Sequence, residues 1–176
     1  MNQIFSPLRL SLKFELKNRL AVAPMTTTQS NKDGTISQEE AAWLERLAKD
    51  GYGLIISCAA AISMDSIAFP NQLSFESDKM LPALRDLSFR LKKYDSINLI
   101  QLCHAGSRAI KAQPVSASSY TIPQIPGFVP PKELSIPEIE TIISDFASAC
   151  VRVSEAGFDG IEFHGANGYL FTQFTS

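Results

Sequence analysis

The chain has 176 residues, 45% of them hydrophobic and 19% charged, with a formal net charge of -2. These are ordinary globular proportions, and nothing in the balance favours nucleic acid or an anionic membrane surface. No apolar run approaches the roughly eighteen residues of a membrane span and no basic-then-apolar leader opens the chain, so a soluble cytoplasmic protein is expected.

In chain order, the alternation Leu8, Leu10, Leu12, Phe14, Leu16 suits a half-buried strand or hairpin. A first buried strand follows over Leu20–Met25. Ser37 with Glu40 reads as a capping box opening a helix to about Asp50, with Ala41, Ala42, Leu44 and Leu47 on its buried face and Gly51 as its stop. A second strand spans Leu54–Ser57, and Leu81, Leu84, Leu87 and Leu91 recur at helical spacing between about Asp78 and Tyr94. A third strand covers Ile97–Leu102. The connection Ala105–Leu134 is rich in Pro, Ser and Ala, and loops of that length are usually functional lids or disordered; its place at a strand end favours a lid. Ser135 and Glu138 form another capping box, with a helix running to Ala156 and Gly157 closing it. The fourth strand is Gly160–Phe163, and Tyr169–Phe174 reads as a short helical turn.

Buried parallel strands alternating with amphipathic helices give an α/β fold, although the pattern admits an open doubly wound sheet as readily as a barrel. In either, the carboxyl ends of the strands carry the chemistry. His164, Asn167 and Tyr169 follow the fourth strand there; two neutral donors and a phenol suit a polarised carbonyl and a proton transfer. Cys58, Cys103 and Cys150 are widely separated, with no Cys-x-x-Cys pair or His cluster, so reduced structural thiols and no metal site are expected.

The stretch Ala156–Phe174 resembles the Old Yellow Enzyme family of FMN-dependent NAD(P)H:flavin oxidoreductases, whose fourth strand ends in His-x-x-Asn or His-x-x-His followed by Tyr. Asn18–Thr26 resembles that family's first strand, Gly53–Ile56 its second, Gln101–Gly106 its third, and Pro131–Ser135 the lead-in to its third main helix. The resemblance implies a TIM barrel, FMN as cofactor and NAD(P)H as reductant. It assigns His164 and Asn167 to the oxygen of a small-molecule enone or phenol bound over the flavin, and Tyr169 to protonation of the substrate α-carbon. Gln101 is assigned to the imide edge of the flavin and Thr26 to its O4 and N5. Ala23, Pro24, Met25 and Ala59 supply backbone and apolar contacts, and His164 borders the ring as well.

Each residue also has a plain structural reading. His164 reads equally as a core histidine bonded to a carbonyl, Asn167 as half of an Asn-Gly turn, and Tyr169 as an aromatic anchor. Gln101 could cap loop backbone, and Thr26 could be merely the first polar residue after a strand. His104 receives no catalytic role.

The sequence departs from the family pattern at Thr27 and Thr28, where one branch keeps an aromatic substrate contact. It departs again at Cys58, where Glu is common, and at Ser107–Arg108, which displaces an Arg by one position. Only four strand-helix units are present, against the roughly 200 to 250 residues of a complete barrel. Residues 1–176 therefore read as the N-terminal half of one FMN-binding barrel domain, without the Arg and the phosphate-binding nest that the resemblance places on later strands. Open sheet edges predict a homo-oligomer or a complementing C-terminal half. The alternative is a catalytically incompetent half-barrel that associates through those edges and holds little or no flavin.

Overall fold

The computed structural model describes residues 3–110, 113–122, 124 and 126–176. Its centre is a four-stranded parallel sheet made of β3 (Ala21–Val22), β4 (Leu54–Ala61), β5 (Ile97–Cys103) and β8 (Gly160–Phe163), in that spatial order. Chain order equals spatial order, so every crossover carries the chain one strand onward, as in a barrel wall. The crossovers contain α1 (Gln38–Lys49), α2 (Leu81–Leu91) and α3 (Ile136–Ala156), and α4 (Leu170–Thr175) follows the last strand.

The strands differ on their two faces. Val22, Ile55, Ile100 and Leu102 pack with Leu44, Leu84, Leu87 and Val153 of the helices in one continuous core. Strand side chains alternate, so Gln101 and Glu162 stand on the opposite face, where Gln101 Nε2 donates to Glu162 Oε1 at 2.6 Å. That inner face is where a polar pair is tolerated inside otherwise apolar strands. A register irregularity in β4 between Ile56 and Ala59 brings Ala59 opposite Gln101, and Gln101 lies opposite Glu162.

The helices follow their sequence signals with informative exceptions. The Ser135 and Glu138 box is reciprocal, and Gly157 ends α3 in the left-handed region at φ 89°, where a Cβ would be strained. At α1, Ser37 Oγ accepts from Glu40 N at 3.1 Å, but the Glu40 carboxylate does not return to cap the helix. It turns inward, accepting from Thr27 Oγ1 at 3.1 Å, from Cys58 Sγ at 2.7 Å and from the Ser30 hydroxyl. This buried acid ties the loop after β3 to the middle of β4. The buried face of α1 is Glu40, Ala41, Leu44 and Ala48, whereas Ala42 is exposed and Leu47 only half-buried.

Three spans differ from expectation. The N-terminal hairpin exists, pairing β1 (Leu8–Arg9) with β2 (Glu15–Leu16), but Leu10, Leu12 and Phe14 are exposed and only Leu16 is buried. The first core strand has ladder pairing only over Ala21–Val22, and among the described residues β3 pairs with β4 alone. The second reaches Ala61 rather than Ser57, since Ala59–Ala61 continue the pairing with β5 beyond the irregularity.

The connection after β5 is partly structured. It contains β6 (Val115–Ser116), which pairs with β7 (Lys132–Glu133), and it is held to the sheet top by Tyr120 OH donating to Ser107 Oγ at 2.8 Å. Residues 111, 112, 123 and 125 of the expected lid lie outside the described residues. Among the described residues no helix is long and apolar enough to cross a membrane, and no cluster of side chains could hold a metal ion.

Candidate active site at the strand ends

The chain leaves β8 at Phe163 and turns sharply. Asn167 and Gly168 both have positive φ, 57° and 69°, and Tyr169 N donates to Ala166 O at 3.2 Å. Successive left-handed residues are what Asn-Gly supplies, so the turn reading of Asn167 holds. It does not exclude a functional one. The turn leaves Asn167 exposed with no side-chain hydrogen bond to any described residue, so its carboxamide is available to a ligand.

His164 is buried, and its Nδ1 accepts from Ala166 N at 3.3 Å. An accepting Nδ1 bears no proton, so the proton of the neutral ring sits on Nε2, which becomes a donor. Burial lowers the pKa of His164 below its ordinary value, against a smaller opposing pull from Glu162. The ring therefore acts as a neutral hydrogen-bond donor. Tyr169 meets it edge-on, with ring centroids 4.7 Å apart at 84°.

Tyr169 is 6% exposed and joins Ala59, Cys103, Ala105 and Ala109 in a small apolar cluster above the strand ends. Burial raises its pKa, Cys103 adds to the rise, and Arg108 opposes it. The phenol consequently stays protonated at neutral pH. The Arg108 guanidinium carbon lies 5.9 Å from the Tyr169 ring centroid. A cleft of about 710 Å³ opens beside this pair, walled by Phe69, Tyr120, Phe128, Tyr169 and Gln173.

Gln101 is not a loop cap. It sits inside β5, 5% exposed, its N–H donating to Ser57 Oγ at 3.2 Å and its Nε2 bonded to Glu162. Its carboxamide oxygen has no hydrogen-bond partner among the described residues, which leaves an acceptor beside a partly committed donor group. Ala59 is buried, and its carbonyl accepts from Gln72 Nε2 at 2.9 Å. Across the sheet, Ala23, Met25 and Thr26 are exposed and Pro24 is half-buried. These four follow β3 while His164, Asn167 and Tyr169 follow β8, so two strands separate the groups. A ligand touching both must be broad and flat and must lie across the strand ends.

Glu162 and the pairing of Glu40 with Cys58 escaped sequence reading. Alternation pointed to Glu162, because an acid within a four-residue apolar strand has to face away from the helices. Nothing local pointed to the inward turn of the Glu40 carboxylate.

His104, the other buried histidine at a strand end, is also held neutral. Its Nδ1 accepts from Gly106 N at 3.0 Å, and burial pushes its pKa down to about 4, with Asp65 opposing weakly. As pH falls the unfolded chain takes up the proton first, near 6.5, so stability is complete above that pH and is lost toward pH 4. Between about pH 7 and pH 4 the wild type should lose about 3 kcal/mol more than His104→Gln in urea unfolding. Parallel pH profiles would refute the assignment.

The family model described as NADH:flavin oxidoreductase / NADH oxidase matches residues 3–176. The chain belongs to that family. It is 36% identical over 177 residues to the Bacillus subtilis protein named "Probable NADH-dependent flavin oxidoreductase YqiG", covering 98% of this chain and 47% of that one. An NADPH dehydrogenase of Listeria monocytogenes is likewise 36% identical, with 100% and 52% covered. The solved structure of the old yellow enzyme homologue from Zymomonas mobilis superposes with a TM-score of 0.86 at 28% identity, over 96% of this chain and 50% of that one. The chain thus spans about half the length of these NADH:flavin oxidoreductase relatives, and its sheet is the first half of their TIM barrel. The family uses FMN, with NAD(P)H as reductant.

Proposed function

We propose that residues 1–176 form the N-terminal half of a single FMN-binding barrel domain that reduces an activated alkene (enone), a quinone or a nitro compound at the expense of NAD(P)H. The observation that carries this reading is His164, whose Nδ1 accepts from Ala166 N and so leaves Nε2 to donate, set edge-on to Tyr169 at the carboxyl end of the fourth parallel strand.

The residues present suit one face and one edge of a flavin. Gln101 offers an unpaired amide oxygen for an imide N–H, Ala59 is small enough for close approach, and Pro24, Met25 and Thr26 offer an uncovered apolar and hydroxyl surface. FMN held by these residues would supply the hydride chemistry that links NAD(P)H to the β-carbon of the alkene. His164 and Asn167 donate to the substrate oxygen and stabilise the negative charge that develops there. Tyr169 gives its proton to the α-carbon, so one hydride and one proton saturate the double bond. The test is anaerobic consumption of NADPH or NADH with a cyclic enone by the flavin-loaded protein. The expected result is one saturated ketone formed per nicotinamide oxidised. Nicotinamide oxidation without loss of the alkene would contradict the alkene reading.

A second reading has an observation of its own. Leu134, Ile143, Phe146, Phe163, Phe171 and Phe174 line an apolar groove of about 440 Å³ beside the free edge of β8, with Phe163 51% exposed. Such a face calls for a cover, either a second copy or a complementing C-terminal half. A half-barrel whose groove is covered by its own kind would hold little flavin.

A further inference from the structure

The loop that follows β3 carries strain. Thr28 has φ 55°, a left-handed conformation that a β-branched residue keeps only where its surroundings enforce it. Its own hydroxyl donates to Thr27 O at 2.7 Å, which shapes the turn but anchors it to nothing outside the loop. The outside anchor is Glu40. On one side of Thr28, Thr27 Oγ1 donates to Glu40 Oε1 at 3.1 Å; on the other, the Ser30 hydroxyl donates to Oε2.

The strand β4 holds the same acid from the opposite direction. Its register irregularity between Ile56 and Ala59 changes which way the side chains face, so that Ile55, Cys58 and Ala60 lie in the core shared with the helices and Ala59 lies in the cluster with Tyr169. Cys58 thereby faces α1 and donates to Glu40 Oε1 at 2.7 Å. Glu40 is 1% exposed and makes no ion pair with any described residue. Burying a carboxylate on hydrogen bonds alone costs more stability than placing an apolar residue on the same helix face. Packing of α1 therefore does not account for this acid, whereas the loop it grips does.

We propose that Glu40 is a positioning residue for the flavin: its carboxylate fixes the strained loop from Thr27 to Ser30 and so holds the adjoining Thr26, exposed at the strand end, in place to meet the ring. The meeting of Thr26 with flavin rests on the oxidoreductase reading above; the grip of Glu40 on the loop does not.

The first arm of the test is NMR of the isotope-labelled 176-residue chain without flavin, reading the Thr28 Cα and Cβ shifts. Glu40→Gln should move them from left-handed toward extended values, because a carboxamide accepts at one oxygen only and turns an N–H toward the remaining donor. The pair Glu40→Ala with Cys58→Glu should restore them, since a carboxylate carried by position 58 reaches the same point from the strand. Thr27→Val removes one hydroxyl at a partly exposed position and should release Thr28 as Glu40→Gln does; where Glu40→Gln fails to fold, this variant decides alone. Unchanged Thr28 shifts in either variant, or no recovery in the exchanged pair, overturn the proposal. The second arm is the reduction potential of the flavin-loaded protein. It should shift in Glu40→Gln in the same direction as in Thr26→Ala, and the double variant should shift no further than Thr26→Ala alone. Additive shifts, or no shift in Glu40→Gln, overturn the proposal. A failed NMR arm in a protein that still reduces an enone removes this proposal alone, whereas a protein that takes up no flavin removes the oxidoreductase reading and, with it, the role of Glu40 at the ring.

Discussion

Replacing Tyr169 with Phe is expected to slow the reoxidation of reduced flavin by an enone by about 10²–10⁴-fold, the usual contribution of a positioned general acid. The substitution removes one oxygen from a ring that is 6% exposed and keeps its contacts with His164 and Ala59, so the fold should be unaffected. Reduction of the flavin by NAD(P)H requires no proton from this phenol and should proceed at the wild-type rate. Stopped-flow absorbance resolves the two half-reactions. Equal slowing of both would mean that Tyr169 only anchors the turn, the plain reading of an aromatic residue after Asn-Gly. A quinone, whose product oxygens are protonated by solvent, should be far less sensitive to the change than an enone.

The largest expected effect on stability is at Phe75. This ring is fully buried in the main core, in the segment between β4 and α2, and its backbone is bound on both sides: Phe75 N donates to Ala61 O at 2.8 Å, and Phe75 O accepts from Arg152 Nη1 at 3.1 Å. Phe75→Ala should cost about 3–5 kcal/mol, from lost transfer energy and the cavity left behind. That is a large share of the roughly 5–15 kcal/mol that holds a domain together. Urea unfolding measures it. The consequence reaches the site, because the same segment carries Gln72, whose Nε2 holds the Ala59 carbonyl, and Phe69, which walls the cleft. A loss below about 1 kcal/mol would show that the loop packs far more loosely than its burial implies.

The legibility of this chain follows the range of the interactions involved. Helices α2 and α3 were readable because their signals are local: leucines at helical spacing, a Ser-x-x-Glu box, a glycine forced into the left-handed region. The His164, Asn167 and Tyr169 set was readable because a strand end and a turn dipeptide fall within ten residues of one another. Strand lengths were not. Whether β3 extends to Met25 depends on a neighbour on its open side, and whether β4 reaches Ala61 depends on how it pairs with β5. The alternation over Leu8–Leu16 promised a half-buried face, yet Leu12 is 91% exposed, because alternation specifies a face and not what covers it.

Glu40 shows the same limit in the site. Its place three residues after Ser37 predicted a helix cap, while the buried thiol of Cys58 and the hydroxyls of Thr27 and Ser30 offered its carboxylate a better set of donors. Burial first, and then the Glu40 carboxylate, push the Cys58 pKa well up, so this thiol is a donor and not a nucleophile. The acid that the family pattern places at position 58 is missing from the strand. A different acid, reaching in from α1, stands against the same point.

The most direct test of the central claim, that these strand ends hold a working flavin, is the visible absorption spectrum of the purified 176-residue protein before and after anaerobic NADPH or NADH. A bound-flavin spectrum that bleaches on reduction is the result predicted once the open groove is covered by a partner or a complementing half. A colourless protein that fails to retain added FMN, even with its groove covered, would contradict the account.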